Sequence, residues 1–133
     1  MPETASRILE SGGIVRVDEE ELEGLPKKSD EALLVAFVAE WCEVSREEAP
    51  VFVKLAERYR GRVRFGFADV DRNAGAAGRL TVHSVPAALI FAKERELERS
   101  VGAASEEKLA DLIEKALEEC AKIEEAKRPA EES

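Results

Sequence analysis

The stretch AEWCEVSREEAP, residues 39–50, decides how this chain is read. Cys42 follows a tryptophan and opens a segment of helical character, and Ser45 stands three positions on. A thiol at a helix N-terminus faces unpaired backbone N–H groups and the positive end of the helix dipole. Both favour the thiolate, the nucleophile of disulfide exchange. Glu43, directly beside the cysteine, opposes ionisation, and the net sign stays open at this level. A buried, inert cysteine is the competing reading.

The 133 residues suit one domain with one core, and the apolar fraction of 44% is enough to fill it. The formal charge of −9 repels phosphate backbones, so nucleic acid is excluded as a partner. The four arginines of ERYRGRVR, Arg58, Arg60, Arg62 and Arg64, read as a solvated helix end and strand start. No apolar run approaches membrane-span length, and no basic segment leads into an apolar one at the N-terminus; a cytoplasmic monomer is the expectation. Two cysteines make no disulfide framework, and Cys42, His83 and Cys120 lack zinc-site spacing, so no metal and no cofactor are expected.

Residues 3–11 read as a short helix stopped by Gly12-Gly13, IVRV (14–17) as a strand, and DEEELEGL as a helix capped by Asp18. Pro26–Asp30 is turn-like. LLVAFVA (33–39) is almost continuously apolar, the mark of a strand covered on both faces. A helical pattern follows over 43–60, with Ala49, Phe52, Leu55, Ala56 and Tyr59 on one face, a kink expected at Pro50 and Gly61 as the stop. RVRFGFADV (62–70) reads as a strand and DRNAGAAGRL (71–80) as a weak helix. PAALIFA (86–92) and ELERSV (96–101) read as a hairpin, although AKERE is no standard two-residue turn. Ser105 caps a last helix whose stripe runs Leu109, Leu112, Ile113, Ala116, Leu117 and Cys120, before a frayed RPAEES tail. Strands alternating with helices, then a hairpin and a closing helix, predict an α/β fold: a mixed central sheet sandwiched between helices.

Laid end to end, LLVAF, AEWC, Ala49-Pro50, DVD (69–71), VP followed by AALIF, and VGA (101–103) resemble the thioredoxin family in order and spacing. The match runs from about Ile14 to Glu118. It implies a thioredoxin fold over 14–118, an N-terminal extension over 1–13, and an extension of the last helix with a charged tail over 119–133. It also implies a cis peptide bond at Val85-Pro86, beside Cys42. The substrate edge would then be built from Trp41, Val85, Pro86 and Ala103, which would bind protein or peptide substrates.

Against the family pattern, Ser45 replaces the second cysteine, Glu43-Val44 replaces Gly-Pro, Ala36 stands where a buried Asp is usual, and Phe67 where a Lys pairs with it. Everything that serves a second sulfur is missing together. The expected catalytic residues are Cys42 and Ser45. Cys42 would form mixed disulfides released by an external thiol such as glutathione, and the Ser45 hydroxyl would donate a hydrogen bond to its sulfur. The alternative is a redox-silent binding or chaperone module that uses the Val85-Pro86 edge alone. His83, three residues before Pro86, reads as a solvated loop histidine. Cys120 lies about 22 Å along its helix from the end nearest Cys42, too far to pair with it.

Overall fold

The computed structural model describes residues 3–25 and 31–126; the turn expected at Pro26–Asp30 and the expected RPAEES tail lie outside them. Ten elements follow in order: α1 (Ala5–Ser11), β1 (Val15–Arg16), α2 (Glu19–Glu23), β2 (Ala32–Val38), α3 (Glu43–Arg58), β3 (Val63–Asp69), α4 (Ala74–Arg79), β4 (Ala87–Ala92), β5 (Arg95–Val101) and α5 (Glu106–Ala126). The sheet order is β1-β3-β2-β4-β5. β1, β3 and β2 run parallel, and β4 and β5 run antiparallel to their neighbours.

The apolar run of β2 explains the layering. Successive side chains of a strand point to opposite faces. Leu34, Ala36 and Val38 enter a core shared with Leu9 of α1, Phe52 and Leu55 of α3, and Leu109 and Ile113 of α5. Val35 and Phe37 enter a second core with Leu22 of α2 and Ala76 and Ala77 of α4. β2 is therefore buried on both sides, as its composition requires.

Local chemistry sets the ends. Asp18 caps α2 by accepting from the Glu21 N–H at 2.8 Å, and Ser105 caps α5 by accepting from Lys108 N–H at 3.1 Å. α3 runs as one helix across Pro50. It gives way to a turn in which Gly61, at φ +85°, lets the Arg62 and Val63 N–H groups return to the Tyr59 carbonyl. Three of the four ERYRGRVR arginines are occupied locally: Arg58 reaches Glu106 and Glu107, Arg60 Glu57, and Arg62 Glu114.

The hairpin departs from expectation. β4 and β5 are joined by just two residues, Lys93 and Glu94, at φ +54° and +63°. Two central residues at positive φ are the condition of a type I′ turn, which suits strand twist but ordinarily calls for Asn or Gly. Lys93 is nearly buried and forms an ion pair with Glu124 of α5, so tertiary contact holds a turn that its residue types do not advertise.

Ala36 and Phe67 are register partners across β2 and β3, both buried in the same core. An ionisable group here would lie among hydrocarbon. Ala36→Asp is expected to lower stability by about 3 kcal/mol at neutral pH. A urea denaturation midpoint equal to that of the parent chain would contradict this packing.

Candidate functional site

β2 ends at Val38, and four residues later Cys42 occupies the N-cap of α3. The geometry is that of an ordinary cap with sulfur in place of oxygen: the Ser45 backbone N–H donates to Cys42 Sγ at 3.4 Å. On its other side the sulfur lies 3.9 Å from the Val85 carbonyl oxygen, to which the thiol donates weakly. The Val85-Pro86 bond is cis. Cys42 is half-buried, and Ala103, exposed, follows Gly102, whose N–H donates to the Pro86 carbonyl at 2.8 Å. The chain thus brings Cys42, Ser45, Val85, Pro86 and the Gly102-Ala103 segment to one end of the sheet.

Ser45 acts differently from expectation. Its side chain is fully buried, and its Oγ accepts from the Ala39 N–H at 3.3 Å. The position explains this. At the third residue of a helix the N–H points back at the cap, while the side chain turns inward. The sulfur's partner is therefore the Ser45 backbone, and the hydroxyl ties the helix to the segment leading into Trp41.

Trp41 is 71% exposed, yet it is held: its indole N–H donates to Asp71 at 2.7 Å. Asp69 in turn accepts from the Asp71 N–H at 2.8 Å, which fixes that turn. Among the described residues, three of the four large exposed apolar side chains, Trp41, Val44 and Val101, gather at this end of the molecule. A cavity of about 300 Å³ opens beside the cysteine, lined by Trp41, Cys42, Val70, Val82, His83 and Val85 among others. His83 is solvent-exposed, as expected, and also borders this cavity. A second cavity of about 190 Å³ lies on the other side of Trp41 and Cys42. There Glu3 and Thr4 at the start of α1 face Glu40, Glu43 and Arg46. Arg46 is paired with Glu43, which draws that carboxylate's charge toward a cation.

Cys120 stays apart. It packs against the α1-α3-α5 core, and burial pushes its thiol up, with Lys93 the nearest opposing influence. Lys93 lies past the end of β4 opposite Val85, with the whole strand, six residues and about 20 Å at the rise of a strand, between them. Both cysteines are free thiols.

Sequence reasoning missed two residues. In the sequence Asp71 reads only as part of the DVD pattern, and nothing singles Glu48 out. Glu48 is 5% exposed, on the inner face of α3, and its Oε2 accepts from the Ala104 N–H at 2.8 Å. Its partner is 56 positions away, so periodicity alone gives no sign of it.

The Thioredoxin family model matches residues 13–115. Among curated proteins, the chain is 37% identical over 84 residues to thioredoxin of Staphylococcus saprophyticus, covering 63% of this chain and 81% of that protein. It is 32% identical over 106 residues to the chloroplastic M-type thioredoxin of Brassica napus, covering 80% of this chain but only 60% of that protein's length. Among solved structures, oxidized mitochondrial thioredoxin 3 from Saccharomyces cerevisiae superposes with a TM-score of 0.68 at 24% identity. That alignment covers 80% of this chain and 98% of the yeast chain, a likeness of fold.

Burial pushes the Glu48 carboxyl above its ordinary value, with the Ala104 N–H pulling the other way. A raised folded value means that the folded state binds this proton more tightly than the unfolded chain. The associated stability is present at acid pH and lost as pH rises through the folded value. Glu48→Gln is therefore expected to be more stable than the parent at neutral pH, with the advantage shrinking toward the ordinary glutamate range. Denaturation at neutral and acid pH measures this; a pH-independent difference would contradict it.

Proposed function

The chain belongs to the thioredoxin family, and we propose that it works there as a monothiol redox protein. The observation that carries this reading is the pairing of Cys42 with the Ser45 N–H and the Val85 carbonyl, while the other cysteine, Cys120, packs against the core on α5. The N-cap position holds the sulfur beside the Val85-Pro86 edge, where a substrate disulfide can reach it. Once the proton leaves, the Ser45 N–H still faces the sulfur, and the Val85 carbonyl loses its donor. That carbonyl is then free to accept an N–H from an extended substrate segment laid along the edge, as in strand addition. Trp41, Val44, Val85, Val101 and Ala103 supply apolar contact around it.

The chemistry is one exchange. The Cys42 thiolate attacks one sulfur of a substrate disulfide, a new S–S bond forms between them, and the other substrate sulfur leaves as thiolate. The adduct then needs an external thiol, glutathione or another, to attack and regenerate Cys42. Ser45 has no sulfur to offer, and its hydroxyl is occupied by the Ala39 N–H. Protein disulfides or glutathionylated proteins are the substrates, and the cytoplasm, with its glutathione pool, is the compartment that suits this cycle.

The second reading, a redox-silent binding module at the Val85-Pro86 edge, draws on the apolar cluster around that edge, which does not depend on the thiol. The two part at Cys42→Ala, which abolishes capture of a disulfide substrate in the first and leaves peptide binding intact in the second.

In a protein-disulfide reduction assay, the parent chain is expected to turn over only when a small thiol is supplied. Ser45→Cys is expected to restore thiol-independent turnover only partly, because Ala36 and Phe67 remain and the Ala39 N–H loses its oxygen partner. Full activity without added thiol in the parent chain would contradict the monothiol cycle.

A further inference from the structure

We infer that Glu48 is a positioning residue that fixes the Gly102–Ala104 segment, and with it one wall of the substrate groove. The inference rests on the reading that Cys42 acts on substrates laid along the Val85-Pro86 edge.

Glu48 lies three residues beyond Ser45, on the same inner face of α3. These two are buried polar side chains of the helix, and each holds a backbone N–H of a different segment beside the site. Ser45 Oγ takes Ala39, just before Trp41 and Cys42, and Glu48 Oε2 takes Ala104, just after Ala103. The Ala104 N–H precedes the Ser105 cap, outside the bonding of α5, so Glu48 is what satisfies it. The other end of the same segment is tied by the Gly102 N–H to the Pro86 carbonyl, with Gly102 at φ +91°. Ala103 is therefore held between two anchors, one on the cis-proline turn and one on the helix that carries Cys42.

An apolar side chain would suit this buried position better as far as packing goes, because a carboxylate must be desolvated there. Burial pushes its proton affinity up, consistent with that cost. What the carboxylate supplies in return is an acceptor that reaches across to Ala104. The bond spans the two elements that flank the groove, so its loss frees Ala103 without touching the sulfur. Glu48 itself contacts no reacting atom.

The test uses the full chain with Cys120→Ala and a probe of known chemistry: an apolar peptide whose single cysteine is a thiopyridyl mixed disulfide. Cys42 attacks the peptide sulfur, the new S–S bond forms, and pyridinethione leaves and is read by absorbance. Dipyridyl disulfide, which makes no contact along the groove, is the control. Glu48→Leu is expected to raise the half-saturating peptide concentration about tenfold, with the limiting rate and the control rate changing less than about twofold. Glu48→Gln keeps the acceptor and should restore parent behaviour. Amide exchange at Ala104 should speed up in Glu48→Leu and stay slow in Glu48→Gln. Unchanged half-saturation together with unchanged Ala104 exchange in Glu48→Leu would overturn the inference. If the parent reacts with neither disulfide, the monothiol reading falls. In that case the comparison passes to noncovalent peptide binding by Trp41 fluorescence: weaker binding in Glu48→Leu supports the positioning role, and equal binding overturns it.

Discussion

The seat of one sulfur atom, between the Ser45 N–H and the Val85 carbonyl, is the constraint on which the rest of this structure depends. It requires the first turn of α3 to meet the start of β4. The sheet order makes that possible: β2 leads into α3, and β4 lies directly beside β2, running the other way. The residues of β2 must then be apolar on both sides, because helices cover both faces. A polar strand there would leave the thiol unsupported as well as the core unfilled.

The chain carries less polar chemistry in its core than a dithiol site would need, and more at the segments around the thiol. Ala36 and Phe67 meet as hydrocarbon in register. Three buried polar side chains tether backbone near the thiol, Ser45 holding Ala39, Glu48 holding Ala104 and Asp69 holding Asp71, while the exposed Asp71 carboxylate accepts from the Trp41 indole. Each bond fixes a segment that borders Cys42. Cys120, the other thiol, packs against the α1-α3-α5 core on the last helix, away from this site. Among the described residues, the site therefore holds one sulfur, with hydrogen bonds tying down the segments around it.

Much of this was legible in the sequence. The two-faced burial of β2 follows from LLVAFVA, the caps of α2 and α5 from Asp18 and Ser105, and the position of Cys42 from its place before an amphipathic helix. What was illegible depended on contacts between distant residues. Lys93-Glu94 carries no glycine or asparagine, so its turn became visible only with α5 packed against it. Sequence distance pairs the Ser45 hydroxyl with the nearest sulfur, but the inward-turned side chain takes it to Ala39. Glu48 reads as one acid among many on a charged helix, and only burial distinguishes it.

The central claim is that Cys42 forms a mixed disulfide that nothing within the chain resolves. Intact-mass spectrometry of the parent chain after exposure to a one-equivalent pulse of an activated peptide disulfide tests it most directly. A single peptide adduct mapping to Cys42 is expected, persisting until a small thiol is added and then released completely. Spontaneous loss of the peptide with formation of a Cys42–Cys120 disulfide, or no adduct at Cys42 at all, would contradict it.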